Sequence, residues 1–116
     1  MNLRVFLFSI FFFGMTVSTY AADIEAGKKV YDQVCGYCHL TTYDDKFGPG
    51  LAGISERRDE KWLNAFLLDP QEMIKTDEYA QSLKENNSYN LTMPKLRDMQ
   101  DEQKRADVIA YMETLE

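Results

Sequence analysis

The chain of 116 residues has little of what most metal and redox sites are built from: two cysteines, one histidine and one tryptophan. A structural zinc site closes four ligands around its metal, whereas Cys35, Cys38 and His39 supply only three. A disulfide between cysteines three positions apart would close too small a loop to hold a fold together. We therefore expect the cysteine pair to have a chemical role or to carry a group.

A surplus of positive charge is also missing, since 13 lysines and arginines face 19 aspartates and glutamates, for a net charge of −6. Binding to nucleic acid needs a basic face, so we expect no nucleic-acid partner. A protein partner with a basic patch is expected instead, because opposite long-range fields speed encounter. The chain itself is predicted to be a monomer or a weak oligomer.

Only one long apolar run occurs, at residues 5–17, behind Arg4 and before the small residues of 18–22. This order is typical of a secretory signal, and the run is short for a bilayer span, which takes about 20 residues. We predict a cleaved signal peptide at residues 1–21, one domain at residues 22–116, a periplasmic location and no stable membrane insertion. Loss of Arg4 with the signal peptide would change the net charge from −6 to −7.

No segment alternates with a two-residue period long enough for a strand, and the apolar spacing favours helices. Asp23 can cap a first helix, Pro70 is predicted to end a second, and Asp98 is predicted to cap the last. Glycine, proline and asparagine mark residues 41–50 and 86–90 as loops. The predicted helices cover residues 23–34, 59–68, 77–85 and 99–115. The domain is therefore expected to be all-helical, with longer loops than a self-contained bundle needs.

Residues 35–39, Cys-Gly-Tyr-Cys-His, carry the strongest signal, because Cys-x-x-Cys-His is the attachment motif of c-type haem. Cysteines one helical turn apart can both reach the vinyl groups on one haem edge, and His39 then supplies an axial ligand. A thioredoxin-like redox pair is an alternative, but such a pair follows a strand and this one follows a predicted helix. A zinc site and a local disulfide are further alternatives. We predict one covalently bound haem c per chain.

The only histidine is His39, so ligation of the iron by two histidines of this chain is excluded. The iron then has another side chain as its second axial ligand or an open face. Beyond the signal segment the methionines are Met73, Met93, Met99 and Met112. Met112 lies on the apolar stripe of the last predicted helix, where core packing is expected. Met73 is also expected to be buried, and Met99 to begin the last helix.

The segment that contains Met93 is irregular and follows a long loop. Pro94 restricts Met93 to extended geometry, which can present a thioether rigidly to a metal. We predict His39 and Met93 as the metal ligands. A histidine–methionine pair raises the reduction potential, and with both axial positions filled, outer-sphere electron transfer is favoured over substrate binding at iron.

With these motifs, the sequence resembles the class I c-type cytochromes, the family of mitochondrial and small bacterial cytochromes c. Residues 27–31, Gly-Lys-Lys-Val-Tyr, resemble the N-terminal helix of that family, and residues 107–112 resemble its C-terminal helix. The resemblance implies the cytochrome c fold, in which these helices cross with a glycine against an aromatic ring. It also implies loops wrapped around one covalently bound haem.

Residues 48–53, Gly-Pro-Gly-Leu-Ala-Gly, resemble the family's loop below the haem. The resemblance implies that Pro49 accepts a hydrogen bond from His39 Nδ1 and that Leu51 packs on the ring. The segment with Trp62 and Phe66 resembles the helix that flanks the haem pocket. Three features depart from the mitochondrial pattern: Phe66 replaces a tyrosine, residues 71–91 match poorly, and no lysine-rich docking surface is apparent.

The predicted function is that of a non-enzymatic shuttle that carries one electron between redox partners. One alternative is a haem-based ligand sensor or small peroxidase in which Met93 detaches from the iron. Another is a cytochrome subunit fixed in a larger oxidoreductase, with residues 71–91 as the contact.

Overall fold

A computed structural model describes residues 21–116, and the predicted signal peptide at residues 1–21 lies outside this range except for Ala21. The described residues form helices and short 3₁₀ turns, with no strand among them, which confirms the all-helical prediction. The helices are α1 (Ile24–Gln33), α2 (Ile54–Arg57), α3 (Glu60–Leu68), α4 (Pro70–Thr76), α5 (Glu78–Glu85) and α6 (Glu102–Met112). Over residues 21–116, none of them has the length and apolar character that a membrane crossing requires.

Aspartates begin five of the six described helices, and each side chain accepts a hydrogen bond from a backbone N–H in the first helical turn. Such caps satisfy N–H groups that the helix itself leaves unpaired, and each contributes about 1 kcal/mol. Part of the acidic surplus therefore has a local structural role. The capping residues are Asp23, Asp59, Asp69, Asp77 and Asp101.

The predictions for α1, α3 and α5 are confirmed, but the predicted start of the last helix at residue 99 is wrong. Residues 98–100 form a separate 3₁₀ turn, and α6 begins at Glu102 with Asp101 as its cap. Met99 lies in this turn and is completely buried, at 0% exposure. Asp98 therefore begins the turn rather than the helix.

Two helices were missed by the periodicity, α2 and α4. The four residues of α2 are too few to show a helical period. Pro70 was expected only to end a helix, yet it also occupies the first turn of α4. At that position proline is well tolerated, because its missing N–H would have no partner within the helix.

Helices α1 and α6 cross at Gly27. A Cβ atom at this glycine would overlap the carbonyl of Asp107 and would lie 3.0 Å from Tyr111 Cβ. One helical turn further along α1, the rings of Tyr31 and Tyr111 pack with their centroids 5.5 Å apart. The predicted crossing of the terminal helices is confirmed, with glycine required by the close approach of the two backbones.

The hydrophobic core lies mainly between α1, α3 and α6, and α6 supplies three of its members. Two charged residues are also buried, Asp107 and Arg105, and the side chain of Arg105, at 7% exposure, lies against this core. Its guanidinium donates to Asn64 Oδ1 at 3.0 Å and to the carbonyl of Met99 at 2.7 Å. These bonds join α6 to α3 and to the turn at residues 98–100. The core residues are Tyr31, Cys35, Leu51, Ile54, Leu63, Leu67, Met99, Val108, Ile109 and Met112.

Candidate functional site

One large cavity of about 480 Å³ opens beside this core, within the size range of cofactor pockets. Its wall is mostly apolar. Residues 35–53 form one side, here called the proximal wall, and residues 70–97 contribute to the other, here called the distal wall. All eight residues predicted for the site line this one cavity: Cys35, Cys38, His39, Pro49, Leu51, Trp62, Phe66 and Met93.

The two cysteines lie in and directly after a 3₁₀ turn at Cys35–Tyr37. The backbone N–H groups of Cys38 and His39 both donate to the carbonyl of Cys35, each at 3.0 Å. Cys35 is buried whereas Cys38 is exposed. Burial raises the pKa of the Cys35 thiol to about 11, because the apolar surroundings disfavour a thiolate. A neutral sulfur, whether thiol or thioether, suits this position.

The imidazole of His39 is held by the loop that follows it. Its Nδ1 lies 2.8 Å from the carbonyl oxygen of Pro49. Since a carbonyl can only accept, Nδ1 carries the hydrogen and Nε2 is left as the basic nitrogen. Burial lowers the pKa of His39 below its ordinary 6.5, against the opposite effect of the Pro49 bond. A neutral imidazole with a defined tautomer is the form that binds a metal.

Two neighbours reinforce this position of His39. The hydroxyl of Tyr31 on α1 donates to the backbone carbonyl of His39 at 2.7 Å. Gly48 packs against the imidazole so closely that a Cβ atom there would lie 2.5 to 3.0 Å from three ring atoms. The histidine is therefore fixed at both its backbone and its side chain.

Leu51 is buried, at 8% exposure, in the loop between His39 and α2. Trp62 and Phe66 lie one turn apart on α3, and their rings stack with centroids 4.9 Å apart and planes at 10°. Helix α3 thus presents a flat aromatic surface among the residues that line the cavity. Phe66 brings no hydroxyl group to it.

Met93 lies on the distal wall in a segment without helix or strand, residues 90–97. It is half-buried and packs against the hydrophobic core. Met112 also lines the cavity, but as a core member of α6 at 4% exposure. Met73 and Met99 do not line it. Of the four candidate methionines, Met93 is the one that combines access to the cavity with a position outside the helical core.

The sequence analysis predicted a helix at residues 77–85 but missed that residues 71–91 contribute to the cavity. They form α4 and α5 and add several side chains to the distal wall. The aspartate caps before each helix, Asp69 and Asp77, were the available signal. The added lining residues are Ile74, Tyr79, Ala80, Leu83, Lys84, Asn87 and Leu91.

Two arginines at the end of α2 were also missed. Arg57 lines the cavity, and its guanidinium donates to the carbonyls of Ala52 at 2.7 Å and Gly50 at 3.2 Å. Arg58 lies over the ring of Tyr79, with its guanidinium carbon 3.4 Å from the ring centroid. Arg57 thus braces the proximal loop, and Arg58 connects α2 to the distal wall.

A model of the family described as Cytochrome c matches residues 24–116. The chain is similar to the structure of a cytochrome c from Rhodothermus marinus, with a TM-score of 0.72 and 20% identity over 79% of this chain and 75% of that one. An engineered cytochrome c from the same organism, bound to the carbene intermediate 1-ethoxy-1-oxopropan-2-ylidene, has a TM-score of 0.68 and 19% identity over 88% of each chain. Among curated proteins no sequence matches significantly.

Proposed function

The chain belongs to the cytochrome c family, and on this premise we propose that it carries single electrons between protein partners in the periplasm, with His39 and Met93 as axial ligands of its covalent haem c. The bound haem supplies an iron that accepts and releases one electron. The residues around the cavity fit such a group, since they offer two thiols, an imidazole and a thioether within an otherwise apolar wall.

Attachment of the haem is the role proposed for Cys35 and Cys38. The 3₁₀ turn between them sets both sulfurs on the wall of one cavity. Thioether formation replaces a thiol that burial already keeps neutral in Cys35, so it adds no desolvation cost there. The bonds hold the haem permanently, which suits a protein outside the compartment where haem is made.

The hydrogen bond from His39 Nδ1 to the Pro49 carbonyl is the single observation that carries the ligation proposal. It leaves Nε2 as the nitrogen free to bind iron. Because Met93 lines the same cavity and is the methionine outside the helical core, we infer that its thioether would be the second protein ligand. Ligation by both residues would leave a bound haem no open position for a substrate, so the chemistry it would supply is the exchange of an electron.

The proposed partners are redox proteins with a basic docking patch, because the net charge of this chain is −6 with the signal segment included. The charge speeds encounter and leaves the complex short-lived at physiological salt. A monomeric or weakly associated shuttle fits this behaviour better than a permanently bound subunit does.

An anaerobic redox titration followed by absorption spectra tests the ligation. We expect a thioether-to-iron band in the oxidised protein, and its loss together with a lower potential in Met93→Leu. Met73→Leu is the matched control, since Met73 does not line the cavity, and it should keep both the band and the potential.

The same samples distinguish electron transfer from ligand sensing. The untreated ferrous protein should not bind carbon monoxide rapidly, whereas Met93→Leu should. Rapid binding by the unsubstituted protein would instead favour a sensor or peroxidase in which Met93 detaches. An unchanged band in Met93→Leu would show that another residue is the ligand.

A further inference from the structure

The segment between α5 and Met93 has no helix or strand to pair its backbone groups, so other partners must hold it. Residues 86–89 form turns, and residues 90–96 are extended or irregular. Met93 stands near the middle of the irregular stretch. Whatever fixes this segment therefore fixes the position of the Met93 thioether.

The side-chain amide of Asn87 supplies much of that pairing. Its Oδ1 accepts from the backbone N–H of Tyr89 at 3.0 Å and from that of Leu91 at 2.9 Å. Its Nδ2 donates to the carbonyl of Phe47 at 2.7 Å. Only this orientation of the amide matches two N–H donors and one carbonyl acceptor. One side chain thus binds three backbone groups in two segments 40 positions apart in the chain.

The turn beyond Asn87 is further held by α5. Lys84 Nζ donates to the backbone carbonyl of Asn90 at 2.5 Å and to its side-chain oxygen at 2.9 Å. Asn90 has a φ of 55°, a left-handed conformation that asparagine tolerates better than most residues. The chain therefore reverses at a defined point two residues before the segment Thr92-Met93.

Phe47, which accepts the hydrogen bond from Asn87, belongs to the proximal wall. Phe47 directly precedes Gly48, whose N–H donates to the carbonyl of Cys38 at 2.8 Å. The ring of Phe47 also packs edge-on against Tyr89, with centroids 5.5 Å apart. The hydrogen bond from Asn87 to Phe47 therefore connects the segment of Met93 to the loop that fixes His39.

We propose that Asn87 is a positioning residue that ties the Met93 segment to the proximal wall and thereby limits how readily the Met93 thioether leaves the iron. The proposal rests on the ligation by His39 and Met93 proposed above. Removing the amide breaks three hydrogen bonds and leaves two backbone N–H groups without their partner. The net contribution of one such bond corresponds to a factor of about two to ten in an equilibrium constant. Because three bonds are lost together, we expect Met93 to dissociate about tenfold faster or more.

The test is the rate at which the oxidised holoprotein binds imidazole, at concentrations where departure of Met93 limits the rate. Asn87→Ala should bind about tenfold faster than the unsubstituted protein. Asn86→Ala is the matched control, because Asn86 is the exposed neighbour and its side chain makes no hydrogen bond within residues 21–116. Its rate should stay within about twofold of the unsubstituted value.

Asn87→Asp separates the two halves of the network. A carboxylate keeps an acceptor for Tyr89 and Leu91 but has no N–H to give to Phe47. We expect faster imidazole binding than in the unsubstituted protein, and an unchanged rate would overturn the connection to the proximal wall. If Asn87→Ala does not fold, Asn87→Asp still tests the proposal.

Further measurements control for unfolding and distinguish failure of the Asn87 proposal from failure of the ligation. Far-UV circular dichroism and haem content should be the same in all variants, so that a rate change reports on the ligand and not on unfolding. If Asn87→Ala folds and binds imidazole at the rate of Asn86→Ala, Asn87 does not position Met93. A missing thioether-to-iron band in the unsubstituted protein would instead contradict the ligation itself.

Discussion

On the proximal wall, groups within about ten residues of one another in the chain make most of the hydrogen bonds, whereas side chains that reach across the molecule join the distal wall to the rest of the fold. The N–H of Leu51 donates to Leu40 at 2.9 Å, and that of Ala52 to Thr42 at 3.2 Å. These bonds cover about ten residues of chain. They hold the loop around His39 together, and Tyr31 and Arg57 add side-chain hydrogen bonds to it from the neighbouring helices.

The distal wall has local bonds within α4 and α5, but long-range side-chain contacts join it to the rest of the molecule. Arg58 lies over Tyr79, Lys95 pairs with Asp69 at 2.9 Å, and Asn87 binds the Phe47 carbonyl. Each contact can be weakened without altering the motif that attaches the haem. The difference implies that proximal changes should threaten haem attachment itself, and distal changes mainly the second ligand and stability.

Gly48→Ala should have the largest effect, because the added Cβ would lie within 3.0 Å of three atoms of the His39 ring. Overpacking of this kind typically costs about 1–3 kcal/mol; with three ring atoms in contact we expect the upper end of that range and little protein with covalent haem. Gly36→Ala is the control, since its Cβ would have no neighbour closer than 3.4 Å. The measurements are haem content and thermal unfolding. Full haem attachment in Gly48→Ala would contradict the greater sensitivity of haem attachment to changes on the proximal wall.

Tyr79→Ala should come next, with a loss of about 2 kcal/mol, because it removes the ring under Arg58 and the edge contact with Trp62. Haem attachment should survive, since the proximal wall is intact. The control is Tyr37→Ala, at a tyrosine that is 73% exposed. Denaturant unfolding measures both variants. Loss of covalent haem in Tyr79→Ala would show that the distal wall is needed for attachment.

Tyr31→Phe removes only the hydroxyl that binds the His39 carbonyl. It leaves a partly buried carbonyl without its donor, which costs about 1 kcal/mol. Tyr111→Phe is matched to it, because the two rings pack together and the Tyr111 hydroxyl has no hydrogen bond in the part of the chain that the structure describes. Equal unfolding free energies for the two variants would contradict a role of Tyr31 on the proximal wall.

The smallest effect is expected for Lys95→Met, which removes an exposed ion pair with Asp69. The hydrogen bond from Lys95, with help from the N–H of Glu72, holds the pKa of Asp69 below its ordinary 3.8. The stabilisation is therefore present at pH above about 4 and is lost as the pH falls through the lowered pKa. Thermal melts of both proteins should differ slightly at pH 7 and converge in strong acid.

Lys75→Met is the control for that pair, because Lys75 and Glu72 are both more exposed and 3.4 Å apart. Salt should also shrink the difference caused by Lys95→Met, since exposed pairs are screened. A difference that persisted at low pH would assign the effect to packing of the lysine stem and not to its charge.

Prediction from sequence was most complete where the signal is contained in a few neighbouring residues. The aspartate cap of α1 and the spacing of the two cysteines before His39 are both local. It failed at Met99, whose burial depends on the turn at residues 98–100 packing into the core. It also missed α2, because four residues are too few to show a helical period.

By itself the sequence determined the all-helical fold and the single haem attachment motif, because caps, periodicity and motif spacing act within a few residues of chain, whereas the crossing of the terminal helices was implied by the resemblance to the class I c-type cytochromes. Only the tertiary structure decided that residues 71–91 form part of the cavity wall, that Arg58 lies over Tyr79, and that Asn87 reaches Phe47. The physical reason is that a contact between distant residues depends on where two separate segments are brought by packing, and no local pattern specifies its partner.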